Sequence, residues 1–244
     1  MRIERRAGER FHTEIGWLDS WHTFSFGGHF DPRWRGFGNV LVINDDRVAP
    51  GGGFATHGHR DMEIISYVVS GALGHRDSMG NGSTIRRGDI QRMSAGRGVR
   101  HSEANAGKGR EEVHFLQLWF PPVALGIEPG YEQRAVRDED RRDKLALLAA
   151  PPGEGGVVAV HADARLLGAL LGDGAIVMHR VAAGRGAFVH VVTGELLVDG
   201  VAFGAGDGVG IEGADLGAEG GVVRIAGARG GAEVLVFDVA LNPR

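Results

Sequence analysis

The sequence predicts an all-β protein that contains two similar barrels in one chain. Three observations lead to this class: short apolar runs recur between turn residues, helical periodicity is sparse, and the C-terminal segment partly repeats the N-terminal one. Regularly spaced short strands separated by turn signals are typical of β-sandwiches and barrels. With 244 residues and 43% apolar content, the chain can bury one large core or two small ones.

The predicted strands are short runs rich in β-branched, aromatic and other apolar residues. In chain order they cover residues 40–44, 63–70, 90–93, 114–120, 188–192, 196–198 and 233–239. Turn residues separate them, for example at residues 77–82 and 87–89, where glycine, asparagine and aspartate cluster.

A segment of different composition separates the two halves, between Pro121 and Gly153. It contains prolines, a charge run at residues 137–144 and an apolar run at residues 145–150. We predict a short, partly helical connector here, with the charge run on a solvated face. The predicted domains are therefore residues 1–135, an N-terminal barrel, and residues 136–244, the connector and a C-terminal barrel.

The C-terminal half repeats two features of the N-terminal half. The run Tyr67-Val-Val-Ser-Gly71 resembles His190-Val-Val-Thr-Gly194, and a Gly-Asp turn follows each run, at residues 88–89 and 206–207. This internal similarity predicts a second barrel of the same kind.

Charge and composition exclude several function classes. The net charge is −4 and neither half carries a concentrated Lys/Arg stripe, so direct nucleic-acid binding is not expected. Cysteine is absent, which excludes disulfides, thiolate metal sites and cysteine nucleophiles. No apolar run has the form of a secretory signal or the ~18 to 20 residues of a membrane-spanning helix. A cytoplasmic protein without membrane contact is expected.

Two short motifs carry the chemistry, His57-Gly-His59 and His101-Ser-Glu103. Side chains at positions i and i+2 of a strand point to the same face, so each motif presents two donor groups to one point. If the two segments lie on facing strands, all four groups converge on a single metal ion. The isolated histidines are expected to be ordinary surface or core residues: His12, His29, His75, His161 and His179.

Two carboxylates compete for the role of fourth ligand. Glu63 lies four residues after His59, which is ~13 Å along a straight strand, whereas Glu103 is ~6.6 Å from His101 and on its face. We therefore predict Glu103 as the ligand. Glu63 is expected either to hydrogen-bond to a ligand imidazole or to have a structural role.

These motifs resemble the pirin family, whose members are bicupins built from two double-stranded β-helix, or jelly-roll, cupin barrels. The segments that carry the resemblance are residues 17–26, 43–46, 57–63, 77–81, 93–96, 101–103 and 131–134, and the match is looser beyond Pro151. The resemblance implies metal ligands at His57, His59, His101 and Glu103.

The chain departs from the family pattern at two places. Gly58 stands where many relatives have proline between the two histidines, which loosens the strand without removing a donor. In the C-terminal repeat, Arg180 and Ala182 stand where His57 and His59 stand in the first, so the second barrel is expected to bind no metal.

The resemblance to bacterial quercetin 2,3-dioxygenase-like pirins implies a metal-dependent oxidoreductase that opens flavonols such as quercetin with dioxygen. Three imidazoles and one carboxylate suit Fe(II), with Zn, Mn, Co, Ni or Cu as competitors. Glu103 is also the expected catalytic residue, because it could take the proton of the flavonol 3-hydroxyl. Six aromatic residues could wall an apolar cleft for the substrate: Trp17, Trp21, Phe24, Phe26, Phe54 and Phe115.

The resemblance also implies an alternative, a metal- or redox-responsive regulatory module that binds a protein partner without physiological catalysis. A cupin isomerase or storage-like protein is a third reading. A monomer is expected, and the sequence does not separate these functions.

Overall fold

The structure, a computed structural model, describes residues 2–241. Within this range the chain forms twenty strands, two four-residue α-helices and one 3₁₀ helix. The first elements are β1 (Arg2–Arg5), the 3₁₀ helix (Ala7–Glu9), β2 (Phe11–Ile15), β3 (Leu18–His22), β4 (Val42–Val48), β5 (Gly53–His59), β6 (Glu63–Ser70), β7 (Ala72–Asp77), β8 (Gly82–Arg86), β9 (Asp89–Ser94), β10 (Val99–Asn105), β11 (Val113–Phe120) and β12 (Gly130–Ala135). The later elements are α1 (Asp138–Arg141), β13 (Ala146–Ala150), β14 (Val158–Ala159), β15 (Ala164–Leu171), β16 (Ile176–Ala182), β17 (Arg185–Val198), β18 (Val201–Gly204), β19 (Gly208–Glu212), α2 (Gly213–Leu216) and β20 (Gly220–Ala240).

The strands form two units. The N-terminal unit has a seven-stranded sheet in the order β12-β9-β6-β11-β4-β3-β2 and a four-stranded sheet in the order β5-β10-β7-β8. The C-terminal unit has a nine-stranded sheet that runs β1-β19-β17-β20-β15-β13-β14, with β16 beside β20 and β18 beside β17. Hydrogen bonding does not close either unit into a continuous barrel, although both keep the antiparallel jelly-roll form.

The central strands of the seven-stranded sheet are apolar on both faces because each face is covered. In β6, every residue except Ser70 is buried. Ile65 and Tyr67 face the core shared with the C-terminal unit, whereas Val68 faces a second core inside the N-terminal unit. This two-sided burial explains why β6 reads as a nearly continuous apolar run rather than an alternating one.

The two units pack through a core that contains aromatic side chains from both. The ring centroid of Phe188 lies 5.3 Å from that of Phe24 and 5.7 Å from that of Phe37. Phe120 and Phe237 meet in the same core with centroids 6.1 Å apart. Offset and tilted aromatic pairs at these separations add attraction beyond the burial of their area. The units are therefore joined by apolar packing as well as by the chain.

The internal repeat is visible in backbone geometry. Gly71 follows β6 with φ of 76°, and Gly194 interrupts β17 with φ of 77°. At both positions a Cβ atom would collide with backbone, with the carbonyl oxygen of Glu112 in one unit and that of Gly231 in the other. A residue other than glycine would be strained there, so the same sequence signal marks the same bend in both units.

The first strand belongs to the C-terminal sheet. Arg2 of β1 lies opposite Ile211 of β19, and Arg5 lies opposite Gly208. The side chain of Arg5 returns to the N-terminal unit, where its Nε donates to the carbonyl of Thr23. The predicted boundary at residue 135 stays a prediction, but this strand places residues 2–5 in the sheet of the other half.

The all-β two-unit class predicted from the sequence is confirmed, and the segment between the halves differs from its prediction. Residues 146–150 form a strand, β13, that pairs with β15, so only α1 is helical in the predicted connector. The charge run is not wholly solvated either, because Arg141 is 1% exposed. Among residues 2–241, no helix is long and apolar enough to cross a membrane.

Candidate metal centre

The four predicted ligands lie on two neighbouring strands of the four-stranded sheet. His57 on β5 is directly opposite His101 on β10, and the pairing shifts between His101 and Glu103. Gly53 begins β5, and a Cβ atom there would lie 2.5 Å from the carbonyl oxygen of Glu103. Glycine at this position therefore lets β5 approach β10 closely enough for the imidazoles to meet.

The imidazoles of His57, His59 and His101 form one cluster, which we call the outer cluster. Their ring centroids are 4.5 to 4.8 Å apart, and one ring nitrogen from each lies within 4.8 Å of the others. Nδ1 of His57 donates to the carbonyl oxygen of Ala55 at 2.8 Å, which leaves Nε2 with a free lone pair. The tautomer of His57 is thus set for ligation.

His101 shows that these side chains fit a metal ion. It is 2% exposed, and neither of its ring nitrogens has a hydrogen-bond partner among the described residues. A buried polar group without a partner is costly, and a cation between the three imidazoles would satisfy the ring nitrogen of His101 that carries the lone pair. Nitrogen and oxygen donors of this kind suit a divalent transition metal.

Two of the three imidazoles, His59 and His101, are held in the neutral form that binds metals. Burial lowers the pKa of His59 to about 4, with the neighbouring His57 adding to the effect. Burial also lowers the pKa of His101 to about 3, helped by His57 and His59. At neutral pH both rings therefore keep a lone pair available for a cation.

Glu103, the fourth predicted ligand, is 3% exposed. Its Oε2 accepts from Nε2 of Gln117 at 2.9 Å, and its Oε1 accepts from Oγ of Ser66 at 3.3 Å. Burial raises the pKa of Glu103 to about 7, and these two hydrogen bonds act in the opposite direction. A nearby cation would favour the carboxylate form.

The other candidate carboxylate, Glu63, is directed elsewhere. It is fully buried, and its Oε2 accepts from Oγ of Ser94 at 2.9 Å and from the backbone N–H of His161 at 3.0 Å. Because His161 belongs to the segment after β14, this carboxylate ties β6 to the second half of the chain. Two roles were predicted for Glu63, a structural one and a hydrogen bond to a ligand imidazole. These contacts fit the structural role.

A second group of three ligand atoms lies beside the first, and we call it the inner cluster: His75, His101 and Glu103. Each is buried, and their ligand atoms lie within 4.8 Å of one another. Glu103 thus groups with His101 and His75 rather than with all three outer imidazoles. Sequence reasoning missed His75, although His75-Arg-Asp77 has the same i, i+2 spacing as the two ligand motifs.

A cavity of about 510 Å³ opens onto the outer cluster. Its apolar wall is formed by Trp17, Phe26, Phe54 and Trp119. Three of these were among the six aromatic residues predicted to wall a cleft. Phe24 and Phe115 are instead buried in the two cores, and Trp21 stacks on His12 with a centroid distance of 4.1 Å.

Part of the cavity lining is polar, which the sequence did not reveal. Nδ1 of His22 is 2.9 Å from Oδ1 of Asn44, and its Nε2 is 3.0 Å from Oγ1 of Thr13. Ser20 donates to Asp46, whose pKa burial raises to about 7. The cavity lining therefore combines hydrogen-bonding groups and aromatic surfaces with the outer imidazoles.

The corresponding place in the C-terminal unit holds a different set of side chains. Arg180 and Ala182 lie on β16, and Val222 of β20 is opposite Arg180 as His101 is opposite His57. None of these three offers an imidazole or a carboxylate. That the second unit binds no metal stays a prediction.

Comparison with protein-family models matches both units. Residues 3–120 match the Pirin model, and residues 147–239 match the model of the quercetinase C-terminal cupin domain. The second match assigns a cupin fold to the C-terminal unit and agrees with the predicted bicupin architecture.

Named relatives extend over most of the chain. A quercetin 2,3-dioxygenase of Escherichia coli K12 is 45% identical over 208 residues, which is 85% of this chain and 88% of that protein. A putative quercetin 2,3-dioxygenase of Mycobacterium bovis is 47% identical over 175 residues, 71% of each chain.

The crystal structure of the bacterial pirin YhhW of E. coli in complex with nickel(II) superposes with a TM-score of 0.89 at 40% identity, over 98% of this chain and 99% of that one. A second crystal structure of YhhW superposes over all of both chains with a TM-score of 0.90. Sequence identity and fold agree over the full described length, and the chain therefore belongs to the pirin family.

Proposed function

We propose that this protein is a metal-dependent dioxygenase of the quercetin 2,3-dioxygenase type, which opens the ring of a flavonol with dioxygen. The observation that carries the proposal is the outer cluster of imidazoles at the wall of a cavity with aromatic sides. The relatives named quercetin 2,3-dioxygenase support the same activity. The volume of about 510 Å³ is within the usual range for small-molecule sites.

His57, His59, His101 and Glu103 are the residues proposed to hold one divalent metal ion. When bound, the ion supplies Lewis-acid polarisation of the substrate oxygens and a path for electrons to dioxygen. The nickel complex of YhhW supports a divalent metal, and we propose Fe(II) as the native ion, with Zn, Mn, Co, Ni or Cu as competitors for the same donors.

Glu103 is proposed as the catalytic base that takes the proton of the flavonol 3-hydroxyl at its Oε2. Gln117 and Ser66 hold the carboxyl in place by hydrogen bonds. Burial raises the pKa of Glu103 to about 7, whereas a bound cation would favour its carboxylate form, which is the form that accepts a proton.

The cavity is proposed to orient the planar substrate. Trp17, Phe54 and Trp119 offer aromatic faces and edges to the flavonol rings, and the apolar wall excludes water from the reacting atoms. From the same lining, His22 and Asn44 are proposed to hydrogen-bond to phenolic hydroxyl groups.

The alternative, a regulatory module that acts through a protein partner, has less support than the enzyme, because the named relatives are dioxygenases. A monomeric state and a cytoplasmic location stay predictions from the sequence.

Oxygen uptake tests the proposed function. Metal-replete protein should consume dioxygen when quercetin is added, and the flavonol absorption band should disappear at the same rate. His57→Ala should lose both signals, whereas the control His161→Ala should keep them, since the hydrogen bond from His161 to Glu63 comes from the backbone N–H, which alanine retains. Metal-replete protein that takes up no oxygen with several flavonols would contradict the proposal.

A further inference from the structure

His75 lies on the inner face of the four-stranded sheet, next to the predicted ligands. It is directly opposite Glu103 in the pairing of β7 with β10, and Asp77 is opposite His101. Residues opposite each other in an antiparallel pair point to the same face. The side chain of His75 is 1% exposed, so it is enclosed as fully as the ligands on β10.

Asp77 fixes which ring nitrogen of His75 carries the proton. The carboxyl of Asp77 accepts hydrogen bonds from the backbone N–H groups of Met79 and Asn81, at 2.9 and 3.0 Å, and from the side-chain amide of Asn81. Surrounded by donors, it acts as a carboxylate, and Nε2 of His75 donates to it at 3.1 Å. The lone pair of His75 is therefore on Nδ1.

That lone pair has no partner among the described residues, since Nδ1 of His75 is buried and makes no hydrogen bond. Tyr131 packs its ring against the imidazole with a centroid distance of 5.0 Å. Its hydroxyl does not serve Nδ1, because it bonds to Ser83 and Gln133. The aromatic ring thus limits rotation of the imidazole while leaving Nδ1 unsatisfied.

We propose that His75, through Nδ1, forms with His101 and Glu103 an inner position for a divalent transition-metal ion. Two imidazoles and one carboxylate are a donor set that iron, cobalt, nickel and zinc ions accept. The carboxylate of Asp77 orients the His75 ring in the way that carboxylates orient metal-binding histidines. An ion here would satisfy two buried imidazoles that otherwise have unpaired nitrogens.

The inner and outer clusters are alternatives for one ion. A neutral imidazole has a single ring nitrogen with a free lone pair, and His101 belongs to both clusters, so it binds one ion at a time. The outer imidazoles and Glu103 line the cavity, whereas His75 does not. An ion at the inner position is therefore further from the substrate and shielded from it.

Metal binding by variants that lack the outer imidazoles tests the inner position. The double variant His57→Ala/His59→Ala keeps the inner cluster intact. Equilibrium dialysis against Co(II) should give about one ion per chain, bound more weakly than in the natural protein. Its visible absorption and X-ray absorption spectra should correspond to two imidazole ligands. Adding His75→Gln should weaken Co(II) binding by at least about tenfold.

In a matched control, the double variant carries His161→Gln instead of His75→Gln. Its affinity for Co(II) should equal that of the double variant alone. Circular dichroism and thermal unfolding should establish that each variant is folded, and His57→Gln/His59→Gln replaces the alanine pair if that pair does not fold. A folded double variant that binds no Co(II), or equal affinity with and without His75, would overturn the inference. Because no step measures flavonol cleavage, failure of the proposed activity leaves this test intact.

Discussion

His101 is the least exposed of the four predicted metal ligands and the one that both ligand clusters share. The sequence predicted it through the i, i+2 spacing with Glu103, because spacing along one strand directly reports which side chains share a face. The sequence did not indicate that His75 belongs to a cluster, because His75 meets Glu103 across a strand pair and only the register of that pair shows the contact. Asn44 and Asp46 lie in segment 43–46, and their place in the cavity lining likewise depends on the tertiary fold.

The two competing carboxylates give a prediction at the residue scale. Glu103→Gln should raise the dissociation constant for Ni(II) by at least about tenfold, because it removes a donor beside His101. Glu63→Gln should change it little, since Glu63 bonds to Ser94 and to the backbone of His161. Isothermal titration calorimetry measures both constants. A larger loss of affinity for the Glu63 variant would contradict the assignment.

His190 gives a second prediction. Both of its ring nitrogens are buried without a hydrogen-bond partner among residues 2–241. Replacing such a group by an apolar one of similar size is neutral or stabilising, so His190→Leu should raise the free energy of unfolding by about 1 kcal/mol at pH 7. Urea unfolding with fluorescence detection measures the change.

The gain from His190→Leu should depend on pH. Burial lowers the pKa of His190 to about 4 in the folded protein, below the ~6.5 of an unfolded histidine. Below about pH 6.5 the unfolded chain binds a proton that the folded chain does not, so His190 lowers stability progressively as the pH falls towards 4. The advantage of the leucine variant should therefore be larger at pH 5 than at pH 7. An equal gain in stability at pH 5 and pH 7 would contradict a lowered pKa of His190 in the folded protein.

At the scale of elements, strands were predicted well where both faces are buried and poorly where composition favoured a helix. The strand predicted at residues 63–70 is β6. Residues 145–150 are rich in alanine and leucine, which have high helix propensity, yet residues 146–150 pair with β15 as β13. Tertiary pairing outweighed local preference there, and no signal within the segment reveals its partner strand.

Two glycines of strand β5, Gly53 and Gly58, test whether β5 must lie close to β10. A Cβ atom on Gly58 would make only ordinary contacts, the nearest at 3.8 Å, and its φ is not positive. Gly58→Ala should therefore raise the free energy of unfolding by about 0.4–1 kcal/mol, because alanine has less freedom than glycine in the unfolded chain.

Gly53→Ala should have the opposite effect. Its Cβ would lie 2.5 Å from the carbonyl oxygen of Glu103 and 2.7 Å from Cα of Ala104, so β5 must move away from β10. We expect a loss of about 1–3 kcal/mol in stability, together with weaker Ni(II) binding. Thermal unfolding and metal titration of the two variants test this. Equal effects at both glycines would contradict the proposed role of close strand approach.

At the scale of the whole molecule, the two units are joined by buried charge as well as by aromatic packing. Arg141 donates from Nη1 to Glu233 of β20 at 2.8 Å and to the hydroxyl of Tyr67 of β6. The sequence predicted two units from their similarity and their separating segment. It did not predict this network, because the charge run reads as solvated and only the tertiary fold buries one of its members.

Removal of this guanidinium gives a prediction for the whole molecule. Arg141→Leu should lower the free energy of unfolding by about 3 kcal/mol, because it leaves the buried carboxylate of Glu233 with fewer partners. The control Arg137→Leu, from the residue before the same helix, should change it by less than about 0.5 kcal/mol, since Arg137 is exposed. Differential scanning calorimetry should show a single unfolding transition, whose midpoint temperature falls in the Arg141 variant and not in the Arg137 variant. Equal shifts would contradict the coupling.

The pairing of β1 with β19 also bears on how the chain acquires its structure during synthesis. Residues 2–5 leave the ribosome about 200 residues before their partners at 208–211. At translation rates of about 5–20 residues per second, they wait roughly 10 to 40 seconds, while the strands of the N-terminal unit can already pair. The sheet that contains the last strands of the described chain is thus completed by a segment made about 200 residues earlier than its partner. A fusion placed before Arg2 would therefore be expected to delay maturation of the distal unit rather than of the unit nearest to it in sequence.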